Sequence, residues 1–405
     1  MAYKGIDYLR KKLEQKRRRV KTRYDYYEMK NIKLDPSPAI PPRMKEAYAS
    51  VIGWCGLAVD ALADRLIFEG FSETSDTLNF NDIFRRNNLD ILPASAILDA
   101  LIASCSFVYV SENESGFPRL QTITAEDATG ILDPITYMLV EGYAVLERDD
   151  KNRPVTEAYF IPGETHIITQ DGENVYYNKA PFAALVPLVN RPEARRPFGH
   201  SVISRACMNL QDKARNTVTR SEITAEFYSF PQKYAVGLSQ DAEPLDSWQA
   251  SMSAMLQFTK DEDGDHPIVG QFQTASMTPH IEQFKMYASA FAGETALTLD
   301  DLGVASANPT SSDAIKAAHE RMRLKARASQ RTFSTAFKNV GYIAACIRDG
   351  QAYNRDVIAD VRTIWAPIFE PDATALGGIG DALYKLQQSF PNLLTDDTIH
   401  GLTGL

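Results

Sequence analysis

Residues 297–326 read LTLDDLGVASANPTSSDAIKAAHERMRLKA, and they decide the architecture of this 405-residue chain. The stretch opens as a small, flexible, acidic loop. Asp300, Asp301, Leu302 and Gly303 lead into Ala305, Ser306, Ala307, Asn308 and Pro309. It then turns into helix. Thr310 and Asp313 have capping-box spacing, and Ser311 and Ser312 offer further hydroxyls for the first free backbone N–H groups. No stop signal follows until Gly350. The predicted helix is therefore about 38 residues long, or roughly 57 Å. One small globular domain rarely needs such a helix; a helical wall shared between subunits does.

That helix has two useful faces. Lys316, Arg323, Arg327, Arg331 and Lys338 recur at four- and seven-residue steps and share one side. Ile315, Ala318, Met322, Phe333, Val340 and Ile347 form an adjacent apolar side. The basic side suits pairing with an acidic neighbouring subunit. DNA phosphates and plain solvent are the other readings.

Two more helices precede the loop. Ser201 to Phe230 carries Ile203, Cys207, Leu210, Ala214 and Thr217 in a heptad-like stripe that turns polar at Ser221 and Thr224, and Pro231 ends it. Thr278 caps the second, with Pro279 at its start and Ile281, Phe284, Ala288, Phe291 and Thr295 as its seam. Stripes this weak around Leu210 and Phe284 are expected to bury only between subunits. Between the helices lie a strand at Tyr234–Leu238, a short helix at Leu245–Phe258 and a strand at Ile268–Phe272. An acidic loop, Asp261-Glu262-Asp263-Gly264-Asp265, sits before the last strand.

The first half alternates. A basic helix spans Tyr8–Lys30, with KRRRVK at residues 16–21, and a stiff Pro-rich linker follows. Its basic run suits either DNA or an acidic protein surface, or else pairs with acidic neighbours in the chain. Helices are predicted over Arg43–Glu69 and Leu92–Ala103. Strands are predicted at Phe107–Val110, Tyr137–Glu147, Glu157–Ile161, His166–Thr169 and Val175–Tyr177. A last helix falls near Asp381–Gln388. The fold class is α+β.

The pattern Leu302-Gly303…Asn308-Pro309-x-Ser311-x-Asp313-Ala314-Ile315 resembles the portal proteins of tailed bacteriophages, especially the siphophage type from Gram-positive hosts. Three further motifs follow the same family in order. They are Trp54-Cys55…Val59-Asp60-x-Leu62-Ala63-x-Arg65-Leu66…Gly70-Phe71, then Asp90-Ile91-Leu92-Pro93…Ser106-Phe107-Val108-Tyr109-Val110, then Pro197-Phe198-Gly199-His200-Ser201-x-Ile203. The resemblance implies a portal-type subunit. Its parts would be an N-terminal arm and α+β wing (1–200), a first stem helix (201–230), a small α/β clip (231–277) and a second stem helix (278–297). A tunnel loop (298–310), a long kinked helix (311–349) and a wing return with a minimal crown (350–405) would complete it.

The resemblance also implies a role. Roughly a dozen copies would form a ring at one capsid vertex, the conduit for DNA packaging and ejection. Leu299, Asp300, Asp301, Leu302, Gly303, Ser306 and Asn308 would face the duplex. Trp248, Gln249, Asp261, Glu262, Asp263 and Asp265 would meet the large terminase or head–tail adaptor, with Trp248 alternatively a core anchor of the clip. Major capsid and scaffold proteins would be further partners, and assembly would begin in the bacterial cytoplasm and end in the virion.

Composition is consistent with this. Residues 1–33 carry twelve Lys or Arg against four Asp or Glu, which leaves −17 on the rest of a chain totalling −9. Such a body suits a channel along which DNA slides without sticking, or simply favours solubility. Cys55, Cys105, Cys207 and Cys346 are widely spaced in apolar contexts and read as buried free thiols. The polar, then basic, N-terminus lacks a signal-peptide pattern, and no apolar run is long enough to span a membrane.

Enzyme chemistry finds little support. No GxxxxGK[ST] or GxSxG occurs, and Gly377-Gly378-Ile379-Gly380 reads as a turn. His319-Glu320 lacks the second histidine of a zinc protease. No cofactor or metal is expected. A metal-dependent nucleic-acid-processing enzyme using the acidic clusters, or another head–tail or capsid component, are the alternatives.

Overall fold

Between residues 105 and 189 the β-branched and aromatic runs pair into two antiparallel sheets, and helices from both ends of the chain close over them. The computed structural model describes residues 3–31, 33–38, 40–229, 233–236, 268–271, 276–304, 312–369, 373–389 and 399. The N-terminal helix α1 (Ile6–Tyr27) buries Leu9, Leu13, Val20 and Tyr26.

The helix expected over Arg43–Glu69 is instead α2 (Pro42–Ala47) and α3 (Trp54–Ala63). Ser50, Val51 and Gly53 in the gap are poor helix formers. The break turns Trp54 and Cys55 inward, and Gln211 Oε1 accepts the Cys55 N–H at 2.7 Å. Residues expected to end that helix form β1 (Phe68–Phe71) instead. Gly70, at φ +134°, sits where its register slips. Next come α4 (Phe80–Arg86) and α5 (Leu92–Ala103), the latter with its predicted bounds.

The sheets then form from β2 (Cys105–Glu112), β3 (Pro118–Thr124), β4 (Ala128–Leu132), β5 (Leu139–Arg148), β6 (Pro154–Ile161), β7 (Glu164–Thr169), β8 (Gly172–Tyr177) and β9 (Leu185–Val189). One sheet has the order β3-β2-β9; the other is the meander β4-β5-β6-β7-β8. The expectation omitted β3, β4 and β9. Pro187 argues against a strand, yet β9 is an edge, where a missing N–H costs no ladder bond.

Three helices dominate the remainder: α6 (Arg205–Ser229), α7 (Thr278–Thr295) and α8 (Ser312–Asp349). Strands β10 (Lys233–Val236) and β11 (Ile268–Gln271) pair antiparallel between the first two. After α8 come β12 (Thr363–Trp365), which pairs with β1, and α9 (Ala373–Ser389). The turn expected at Gly377–Gly380 lies inside α9. Flanking Ala373, Ala375, Leu376, Ala382 and Leu383 are strong helix formers, enough to offset about 1 kcal/mol per glycine.

Both ends of the chain build one core. Phe68 of β1 packs on Phe337 of α8 with ring centroids 4.5 Å apart, and on Trp365 of β12 at 5.3 Å. Phe71, Phe80 and Phe84 complete the aromatic cluster. All four cysteines are buried and unpaired, as expected.

Candidate functional site

The long helix runs without a break from Ser312 to Asp349, and Gly350, at φ +58°, ends it in the left-handed region. Its apolar side is buried at Met322, Phe333, Val340 and Ile347. The capping residues Thr310 and Ser311, and the side chains of Asp313, Ile315, Lys316 and Ala318, lie outside the described residues.

The basic side is not a uniform stripe. Arg323 makes two bonds to Glu320 of its own helix, at 2.7 and 2.6 Å. Arg327 and Arg331 are exposed. Lys338 is half-buried, and burial, then the charge of Arg355, lowers its pKa. Lys325 is off the stripe, yet it does more local work. Its Nζ donates to Thr295 O at 2.8 Å and to Glu294 O at 3.4 Å, carbonyls that end α7. Burial lowers its pKa too.

Loop residues 297–304 form a hydrogen-bonded turn, and the rest of the expected loop, 305–310, lies outside the described residues. Ala296, at φ +67°, ends α7. Asp301 then accepts the Thr298 N–H at 2.7 Å, and Thr298 Oγ1 accepts the Asp301 N–H at 3.1 Å. This reciprocal pair is a capping box, and Thr298-x-x-Asp301 is its visible signature. Leu299, Leu302 and Val304 pack against the core, while Asp300 and Gly303 face solvent. Of the expected loop residues, Ser306 and Asn308 lie outside the described residues. So do Trp248, Gln249, Asp261, Glu262, Asp263 and Asp265, together with the helix expected at Leu245–Phe258.

Helices α6 and α7 lie side by side. Thr217 Oγ1 meets Gln283 Oε1 at 3.3 Å, and Thr224 Oγ1 meets His280 Nε2 at 3.2 Å. Trp54 grips the root of α7 between Phe284 and Phe291, with centroids 5.2 and 5.3 Å away. The expectation that both stripes bury only between subunits needs revision. Ile203, Cys207, Ala214, Ala288 and Phe291 are already buried within the chain, because α3 and α8 cover that end. What stays open on α7 is Ile281, 52% exposed, and Met286, 56% exposed.

Two tethers fix these helices to the body. Asp35, in the Pro-rich linker, has a fully buried side chain and takes a two-armed bond from Arg220 of α6, at 2.6 and 3.1 Å. The Arg220 guanidinium holds its carboxyl below the usual range. The second tether is the turn at Pro197–Ile203. Asn190 O accepts the His200 N–H at 2.8 Å, and Asn190 Nδ2 donates to His200 O at 2.7 Å. Val202 N–H and Ser201 Oγ bond the carbonyls of Leu101 and Ile102, at the end of α5. The helix expected from Ser201 starts at Arg205 because residues 201–204 make these bonds.

His319 packs beside Phe369 at 5.7 Å, and Glu320 is taken by Arg323. Among the described residues, no His, Cys, Asp and Glu side chains gather in metal-binding geometry, and no helix is long and apolar enough to cross a membrane.

Comparison with known proteins adds sequence-wide likeness to this geometry. The family described as "Phage portal protein, SPP1 Gp6-like" matches residues 6–375. A protein named "Portal protein" from Mycobacterium phage L5 is 25% identical over 385 residues, covering 89% of this chain and 77% of that one. Its counterpart from Mycobacterium phage D29 is 24% identical over 397 residues, covering 92% and 80%. Among solved structures, a chain from the neck of an empty GTA particle is similar at TM-score 0.48, with 14% identity over 92% of this chain and 95% of that one. A chain from the neck of the native GTA particle has TM-score 0.44 and 15% identity, over 95% and 99%.

Proposed function

The chain belongs to the SPP1 Gp6-like family of phage portal proteins, and from that premise we propose that it forms a closed ring at one capsid vertex through which DNA is packaged and ejected. Its role in the capsid is structural, as in its portal relatives. The body built by α1 to β9 with α8 and β12 serves as the wing. Helices α6 and α7 serve as the stem, β10 and β11 belong to the clip, and residues 298–310 line the tunnel. Residues after Gly350 return to the wing and end in a short crown.

One observation carries the ring. On α7, Met286 is exposed on the side away from the buried Ala288 and Phe291, while Ile281 continues their line and is exposed at the end of the helix that the chain itself leaves uncovered. A helix with apolar residues on two sides calls for a second neighbour, which a copy of the same chain supplies. Arg327 and Arg331, exposed on α8, offer pairing partners for an acidic neighbouring surface. The clip's acidic residues 261–265 and Trp248 are proposed contacts for terminase and adaptor. Capsid and scaffold proteins are proposed partners of the wing, with assembly in the host cytoplasm. Among the described residues nothing favours the metal-dependent enzyme.

The DNA role is tested at Asp300, the exposed acid of the turn. Asp301 is unsuitable, since lysine there would also remove the cap on Thr298. Asp300→Lys places one cation per subunit at the constriction and keeps the Thr298–Asp301 cap. Rings are expected to form normally, while phage titre falls about tenfold, as ~1.4 kcal/mol of added DNA retention would produce. The defect is expected to shrink at higher salt. Packaged DNA length and titre are the readouts. Normal values for both remove residues 298–304 from the DNA path.

A further inference from the structure

Helix α1 treats the cations on its two flanks differently. On one flank Arg10 bonds Glu157 at 2.5 and 3.1 Å, and Arg17 bonds Glu126 at 3.3 Å. On the other, Lys12, Lys16, Arg19 and Arg23 follow at four-, three- and four-residue steps, which sets them on one face. There Lys12 donates to Gly130 O at 2.6 Å, Lys16 to Ala128 O at 3.0 Å and Arg23 to Ala103 O at 2.7 Å. Among the described residues these three cations find carbonyls and no carboxylate.

Across from that flank stand Arg196, on the loop after β9, and Arg205, in the first turn of α6. Between them is a cavity of about 740 Å³ with Arg18, Arg19, Arg23, Arg196, His200 and Arg205 in its wall. A second cavity, of about 410 Å³, shares Gln15, Arg19 and Arg23 with the first and reaches Lys12 and Lys16. No Asp or Glu lines either. Glu193 is bonded to His200 Nε2 at 3.1 Å, and Arg196 Nη1 lies 3.4 Å from His200 Nδ1. Helix α6 is 25 residues long and has no acidic residue in its first turn, so the positive end of its dipole is not countered there.

This crowding has a free-energy consequence. Burial, then the charge of Lys16, pushes Lys12 down to about 8. Burial, then the charge of Arg19, pushes Arg23 down to about 10. Like charges gathered with no carboxylate among the described residues of the cavity walls disfavour the folded state, and a bound anion relieves that strain. The arginines come from α1, the loop after β9 and α6. Converging from three directions, they suit a tetrahedral group with several acceptor oxygens better than a planar carboxylate, which one guanidinium satisfies. We propose that this groove is a binding site for phosphate oxyanions, free in solution or carried by a nucleic-acid backbone. The site stands on this geometry and does not depend on the portal reading.

The test uses the full chain and the Arg19→Gln/Arg205→Gln variant, whose two side chains are exposed, so that folding is preserved. Inorganic phosphate is titrated by calorimetry against sodium chloride of equal ionic strength. A labelled DNA duplex of about 20 base pairs is titrated by anisotropy. Phosphate is expected to bind the parent chain and to bind the variant about 100-fold more weakly, about tenfold per lost charged bond. Duplex binding that falls with the same variant assigns the backbone as the source; phosphate binding without duplex binding assigns the free anion. Phosphate acting no differently from chloride overturns the site. So does equal binding by the variant, or occupation by a hexaglutamate peptide in place of phosphate.

Discussion

Gly199→Ala is expected to cost about 2–5 kcal/mol, a large share of the stability of an ordinary domain. Two effects add. Gly199 has φ +67°, where an L side chain is strained by about 1–2 kcal/mol. A Cβ there would also lie 2.0 Å from Asn190 O and 2.8 Å from the Val189 side chain. Asn190 cannot retreat, because its own N–H is held by Ser104 O at 2.9 Å and its carbonyl by His200. Either the turn opens and α6 loses its seat on α5, or β9 slips along β2. Urea unfolding measures the change in midpoint. Gly293→Ala is the control: that glycine sits in α7 with open space around its Cβ position, so alanine there should stabilise by about 0.5–1 kcal/mol.

Trp54→Ala is expected to cost about 3–5 kcal/mol as well, for a different reason. Trp54 is 6% exposed and fills the space between Phe284 and Phe291. Alanine leaves a cavity between α3 and the root of α7, which packs there mainly through those rings. Loss is therefore expected first in α7, seen as faster amide exchange over 278–295 than in α5. Trp54→Phe should recover most of the stability, since it retains an aromatic face. Uniform exchange across both helices would mean that Trp54 does not hold α7 in particular.

Local signals were enough for some elements. Pro93 near its start and Ser104 at φ +89° bound α5, and Gly350 bounds α8, so both could be read in advance. The gap between α2 and α3 was less visible, because the apolar spacing of Ile52, Cys55 and Val59 continues across it. Beside the poor helix formers Ser50, Val51 and Gly53, the start of α3 is held by Gln211, 156 residues away, which accepts the Cys55 N–H. The Asp35–Arg220 bond spans 185 residues and has no local pattern at all. At the site, the Asp301 cap is legible in Thr298-x-x-Asp301, a local role distinct from the duplex-facing one that the resemblance implies for the same residue. Lys325 was missed for a similar reason. Its value comes from the carbonyls of α7 and not from the stripe beside it.

The account turns on the exposed apolar residues of α7, and imaging the purified chain by electron microscopy tests it most directly. Particles are expected to average to closed rings with a central channel, of about twelve copies, with Ile281 and Met286 at the seams. Charged substitutions, Ile281→Glu with Met286→Glu, should abolish the rings and leave a folded monomer. A closed two-subunit particle at every protein and salt concentration, with no ring, would contradict the account.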